Sequence, residues 1–182
     1  MPMTCSSPAP VLHSFLPIAA DDAEVLILGS MPGAASLAAG QYYAHRQNAF
    51  WKIIGTLLDF APDAPYQARL TALKTARIAL WDVLYSCERE GSLDTRIARA
   101  SEVPNDFAGF FTRHTKISRV YFNGSKAESA FRRHVMPNID ARRLHFCRLP
   151  STSPAHATYR LSEKLTAWQV VTNSLSLQDN PP

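Results

Sequence analysis

Two short stretches hold most of the side chains in this sequence that can do chemistry. The first reads GSMPG over residues 29–33 and continues as QYYAHRQNAFW over 41–51, which gathers Tyr42, Tyr43, His45, Asn48, Phe50 and Trp51. Aromatic rings stack on planar ligands, and a neutral carboxamide such as Asn48 can place a water or hold a base edge without bringing charge. Phe50 also opens an apolar stripe with Ile53, Ile54, Leu57 and Leu58, the spacing of one helical face, so Phe50 and Trp51 are expected to plug the core. Tyr42 and Tyr43 precede that stripe and are the better ligand candidates.

The second stretch is LPSTSPAH over 149–156, with Ser151, Thr152 and Ser153 between Pro150 and Pro154. A loop stiffened by two prolines has little backbone entropy left to lose, and its hydroxyls and amides suit the grip of a phosphate. His156, at its end, fits a surface role as well as a site role.

Missing motifs narrow the chemistry. The sequence has no GxxxxGK[ST] or GxGxxG loop, no GxSxG elbow and no HExxH pair. Cys5, Cys87 and Cys147 lie far apart with no CxxC, which argues against structural zinc or a disulfide framework. Neither a metal nor a cofactor is expected.

These loops need a scaffold to meet. Residues 24–28 (EVLIL) read as a buried strand that runs into the GSMPG loop, with a helix soon after. The helical stripe from Phe50 ends near Pro62, and Tyr66 to Ala76 is a second helix candidate. The apolar run Ile78 to Leu84 reads as a second strand, Ile117 to Phe122 contains a third that turns at Asn123-Gly124, and Leu144 to Leu149 makes a fourth, broken by Pro150. Ala127, Ala130, Phe131 and Val135 give a helical period closed by Pro137, and Leu161, Leu165, Trp168 and Val171 share one face of a last helix. Strands alternating with helices pair in parallel through right-handed crossovers. The expected fold is a three-layer α/β/α sandwich on a central four-stranded parallel sheet. Ligands of such sheets bind beyond the carboxyl ends of the strands, so the loops after Leu28, Leu84, Phe122 and Leu149 should share one rim.

With 182 residues, 46% of them apolar, the sequence suits one domain, expected over 18–176 between a loose leader at 1–17 and a polar tail at 177–182. No run approaches the roughly 20 apolar residues of a membrane span, and residues 1–17 carry no Lys or Arg as a secretory signal would, so the protein is expected in the cytoplasm. Net charge is +4, unevenly spread: residues 113–164 hold 11 Lys/Arg against 3 Asp/Glu. That basic stretch, with Arg132, Arg133, Arg142, Arg143 and Arg148, suits a phosphate backbone.

In order and spacing, GSMPG, QYYAHRQNAFW, LWDVL, YFNG and LPSTSPA resemble the uracil-DNA glycosylase superfamily, and within it the hypoxanthine-DNA glycosylase branch, over roughly Val25 to Ala167. The resemblance implies a monofunctional, monomeric glycosylase acting on DNA with a deaminated base. GSMPG matches its first motif, where relatives commonly place Asp, Asn or Glu at the position of Met31 to handle the attacking water. With methionine there, the resemblance points to Asn48 as the catalytic residue. It implies Ser30, Met31, Tyr43 and Trp81 around the base, with Tyr43 as the stacking ring. PSTSPA matches the second motif, so Pro150, Ser151, Thr152, Ser153 and His156 are the implied DNA contacts. Two positions depart from the pattern. Trp81-Asp82 stands where uracil-specific relatives carry a base-reading Asn, and Leu149 where several carry a His that stabilises the departing base. Asp82 is expected to serve as a buried partner for a loop or helix amide. The alternatives are a uracil or mismatched-thymine glycosylase, and a non-catalytic nucleic-acid-binding domain on the same fold.

Overall fold

The structure is a computed structural model that describes residues 9–176. Four parallel strands, β2 (Val25–Gly29), β3 (Ile78–Asp82), β6 (Arg119–Asn123) and β7 (His145–Leu149), form one sheet in the order β3-β2-β6-β7. The apolar runs VLILG and IALWD of β2 and β3 are buried at every position, as strands covered on both faces must be. A second, antiparallel sheet of order β1-β4-β5 joins β1 (Val11–His13), β4 (Leu84–Glu88) and β5 (Val103–Pro104).

The helices are α1 (Ala34–Ala39), α2 (Phe50–Leu57), α3 (Tyr66–Thr75), α4 (Phe107–Arg113), α5 (Ser125–His134), α6 (Leu161–Trp168) and α7 (Val170–Ser176). Register assigns them to faces. Trp81, Leu28 and Phe122 stand side by side across three strands; Trp81 meets Phe107 and Phe110 of α4, and Phe122 meets Phe131 of α5. The next row back, Leu80, Ile27 and Tyr121, points the other way, where the Tyr121 hydroxyl donates to the Val170 carbonyl of α7 at 3.1 Å. Phe50 and Trp168 touch edge to face, tying α2 to α6. The result is the expected four-stranded parallel sheet with helices on both faces. No helix among the described residues is long and apolar enough to cross a membrane.

Two expectations need correction. Ile78 to Leu84 is two strands, not one. The chain leaves the parallel sheet after Asp82 and enters the antiparallel one at Leu84, while the Val83 and Leu84 amides donate back to the Gly29 and Ser30 carbonyls at 2.9 and 3.1 Å. Residues 11–18 are also fastened, where a loose leader was expected up to 17. Val11–His13 pairs with Ser86–Glu88, and Ile18 exchanges backbone hydrogen bonds with Leu80 at 2.9 and 2.8 Å, covering the outer edge of β3. An uncovered strand edge is a pairing hazard, so this segment protects the sheet as well as extending it. Residues 1–8 of the expected leader and the polar tail lie outside the described residues.

Strand order puts the crossing point of the connections at β2, whose neighbours β3 and β6 are reached in opposite directions. A crevice opens at the carboxyl end of a sheet at such a point.

Candidate active site

A cleft of about 1400 Å³ lies there, lined by the ends of all four parallel strands or the loops that follow them. Gly29 to Ser36, Asp82, Asn123 to Lys126 and Leu149 to His156 contribute to its walls, together with Tyr43, Asn48 and the segment Ser92 to Thr95.

Gly29 sets the floor. A Cβ on it would stand 2.3 Å from Asp82 Oδ1 and 2.9 Å from the Tyr43 hydroxyl, so any larger residue would push both groups off the strand end. The close approach is a reason for glycine here. Tyr43 itself has a left-handed backbone, φ 54°, which turns its ring across the strand ends. That ring stacks on Phe50 with centroids 4.0 Å apart, and its hydroxyl accepts from Asn123 Nδ2 at 3.0 Å. Burial, reinforced by the neighbouring Asp82 charge, pushes the phenol far above its ordinary range, and the Asn123 bond opposes this only in part. The Tyr43 phenol therefore stays neutral, its ring packed on Phe50.

Asn48 lies before α2. Its Oδ1 accepts the Phe50 amide at 3.0 Å, and its own amide donates to the His45 carbonyl at 2.8 Å. The Phe50 bond satisfies one of the free N–H groups that open a helix and orients the carboxamide. A carbonyl oxygen has two lone pairs, so Oδ1 can accept from a water as well.

The loop from Pro150 is wired to this floor by Asn123. Asn123 Nδ2 donates to Thr152 Oγ1 at 2.8 Å, its Oδ1 accepts the Thr152 amide at 2.8 Å, and the Ala49 amide donates to the Thr152 carbonyl at 2.9 Å. Thr152 is thus 1% exposed and engaged on three sides. Ser151 and Ser153 receive the amides of Ser153 and Ala155 at 3.2 and 3.3 Å, which holds two tight turns at the cleft edge. Gly124, at φ 96°, leaves the room that Ser151 fills, since a Cβ there would meet Ser151 Cβ at 2.9 Å. The Pro150 carbonyl accepts from Trp168 Nε1 at 3.0 Å, and the His156 carbonyl from Lys164 Nζ at 2.9 Å.

The sequence-predicted residues therefore divide. Ser30, Met31, Tyr43, Asn48, Pro150, Ser151, Ser153 and His156 all line one cleft. Trp81, expected against the base, does not: it faces α4 between Phe107 and Phe110, and its indole N–H donates to the Phe15 carbonyl at 3.0 Å. Strand alternation sends its neighbour Asp82 to the cleft instead. Thr152, expected on DNA, is turned inward. Tyr42 is 3% exposed, with its hydroxyl on the Leu16 carbonyl at 3.0 Å, and serves the core. Phe50 and Trp51 plug the core as expected.

Three residues escaped the sequence reading. Asn123 passed for a turn residue. Arg89, 1% exposed, donates to the Pro32 carbonyl at 2.5 Å and the Gly91 carbonyl at 2.9 Å, clamping the GSMPG loop to the far wall. Asp94 accepts the Ser30 hydroxyl at 2.7 Å on that wall. For Arg89 and Asp94 the local sequence carries no signal, because their partners are about 60 residues away. Of the basic stretch, Arg132, Arg133 and Arg148 line the cleft with Arg99 and Lys126, Arg132 and Arg148 sharing Glu128 at 3.0 and 3.4 Å and Arg133 and Lys126 sharing Glu102; Arg142 pairs with Asp140 and Arg143 bonds to the carbonyls of Phe111 and Thr115.

The family model for the uracil DNA glycosylase superfamily matches residues 16–174. This chain belongs to that superfamily. Its curated relatives include a hypoxanthine DNA glycosylase of Methanosarcina barkeri, 40% identical over 116 residues that cover 63% of this chain and 72% of the relative. A hypoxanthine DNA glycosylase of Methanosarcina acetivorans is 37% identical over 118 residues, covering 64% and 73%. Among solved structures, the solution NMR structure of a uracil DNA glycosylase-like protein from Methanosarcina acetivorans superposes with a TM-score of 0.74 at 32% identity, covering 92% of this chain and 99% of that one. The chain is a DNA glycosylase, and DNA is its substrate.

Proposed function

We propose that this glycosylase releases deaminated bases, hypoxanthine foremost, by direct attack of water on the sugar. Cleaving an N-glycosidic bond builds positive charge on the sugar and negative charge on the departing base, and a site can stabilise both without a covalent intermediate. The nucleotide rotates out of the duplex at a cost of a few kcal/mol, least where pairing is poor, and the base stacks on Tyr43 beside Ser30 and Met31. Asn48 holds the water at the sugar. Ser151 and Ser153, with Arg132 and Arg148 nearby, hold the flanking phosphates.

The observation that carries this reading is the meeting of a Phe50-backed phenol with a neutral carboxamide, oriented by the Phe50 amide, at the mouth of a cleft whose first motif offers only Met31 where a carboxylate would act. The names of the Methanosarcina relatives support hypoxanthine as the base. Duplexes carrying hypoxanthine, uracil or xanthine, incubated with the protein and then treated with alkali, test it. Strand breaks should appear first at hypoxanthine. Preferential breakage at uracil would move the assignment to a uracil enzyme, and binding without breakage at any base would leave only a DNA-binding domain.

A further inference from the structure

Asp82, expected to partner a loop or helix amide, stands instead on the cleft floor with no part in the proposed mechanism. It is 3% exposed, stands on the last residue of β3 in register with Gly29, and carries Oδ1 close over the Gly29 backbone. Its Oδ2 is buried with no hydrogen-bond partner. A buried ionised carboxylate calls for a cation or several donors. Arg89, the guanidinium that bears on it, gives Nη2 to the Pro32 carbonyl and Nε to the Gly91 carbonyl, while its Nη1 makes no hydrogen bond and lies 4.0 Å from Asp94. A carboxyl so placed is suited to donate. We infer that Asp82 gives a hydrogen bond to the carbonyl oxygen of the extruded base and so stabilises the charge that gathers there.

The inference rests on the glycosylase reading and adds a residue to it. Hypoxanthine, uracil and xanthine all carry a ring carbonyl that their undeaminated parents have as an amine, and that oxygen gathers charge as the glycosidic bond breaks. In that step water oxygen bonds to C1′, the bonding pair leaves with the base, and the proton released by the water ends on the departed base. Asp82 keeps its own proton throughout and acts only as a donor. The groups facing it are Tyr42 and Tyr43 from the loop before α2, Asp94 from the turn after β4, and Arg89 just beyond the end of β4. Burial first, then Asp94, push the Asp82 carboxyl up to about 8 against the opposing pull of Arg89. The donor form therefore prevails at neutral pH and is lost as pH rises through that value, as with other carboxylic acids kept neutral by an apolar site.

Single-turnover release from a hypoxanthine duplex, followed from pH 6 to 9.5 for the wild type, Asp82→Asn and Asp82→Ala, tests this. Wild-type rate should fall about tenfold per unit above pH ~8, the behaviour of one lost proton. Asp82→Ala should be slower by roughly 10²-fold at pH 7, the size of one lost oxyanion donor, and should lack that limb. Asp82→Asn, whose amide is a donor at every pH, should recover at least about tenfold of the alanine loss with no fall above pH ~8. Titration of the base itself is common to all three proteins and cancels in the comparison. A wild-type profile that stays level, an Asp82→Asn profile that falls as the wild type does, or an Asp82→Ala rate equal to the wild type would each overturn the inference. Should Asp82→Ala fail to melt cooperatively, the wild type and Asp82→Asn profiles decide alone. Absence of release from any duplex by the wild type would instead count against the glycosylase reading.

Discussion

Replacing Asn48 separates two contributions that one carboxamide makes. In Asn48→Ala the Phe50 amide loses its acceptor at 3.0 Å, and losing a cap of this kind costs about 1 kcal/mol of folding stability. For a protein of this size that is about 2–4 °C in Tm, far too little to unfold it at 25 °C. The chemical loss should be larger. An oriented group acting at the reacting centre is worth about 2.7–4 kcal/mol, so single-turnover release of hypoxanthine, with enzyme in excess, should slow by roughly 10²–10³-fold. Asn48→Asp supplies the control, because a carboxylate oxygen can still accept from the Phe50 amide and the small Tm loss should disappear. Melting curves and release rates for the three proteins read the two contributions independently. An alanine variant that releases the base at the wild-type rate would remove Asn48 from the reaction, whatever its Tm.

Other outcomes follow from the same geometry. Tyr43→Ala should weaken binding of a duplex carrying the target base by about 1–3 kcal/mol, the range for one stacked base, while Tyr43→Phe keeps the ring and should stay within a few tenths to about 1 kcal/mol of the wild type; gel-shift titrations measure both. Trp81→Phe should lose about 1 kcal/mol of stability with its bond to Phe15 yet release hypoxanthine at the wild-type rate, and a slowed release would return Trp81 to the base site. Arg148→Gln and Arg132→Gln should each flatten the slope of log affinity against log salt by about 0.9, and unchanged slopes would take these side chains off the phosphates.

Much of the scaffold was legible because it rests on uninterrupted apolar runs. VLIL, IALW and VYF are buried on both faces, which needs no alternation and leaves an unmistakable signal. LWDVLYS hid a boundary for the same reason: the chain changes sheets at Val83 with neither glycine nor proline to mark it. The antiparallel sheet escaped notice because its strands are only 2 to 5 residues long and pair across wide gaps in sequence. At the site, Asn48 and Tyr43 were recognisable from their motif, whereas Trp81 was exchanged for Asp82 by a single step of strand parity, which flips a side chain from one face to the other. Thr152 shows a different limit. A hydroxyl in a Ser/Thr/Pro loop reads as solvent-facing until the residue that fastens it, Asn123, is brought alongside from 29 positions away.

Asn123 ties the phenol, the threonine loop and, through Ala49, the start of α2 into a single bracket. Pressure on the proline loop, as from a duplex bent against it, is therefore delivered to the aromatic platform and the carboxamide beside it. In the proposed mechanism, docking and alignment of the reacting groups become one mechanical event. A substitution at Asn123 would uncouple that gearing even though no atom of it need ever touch the nucleotide.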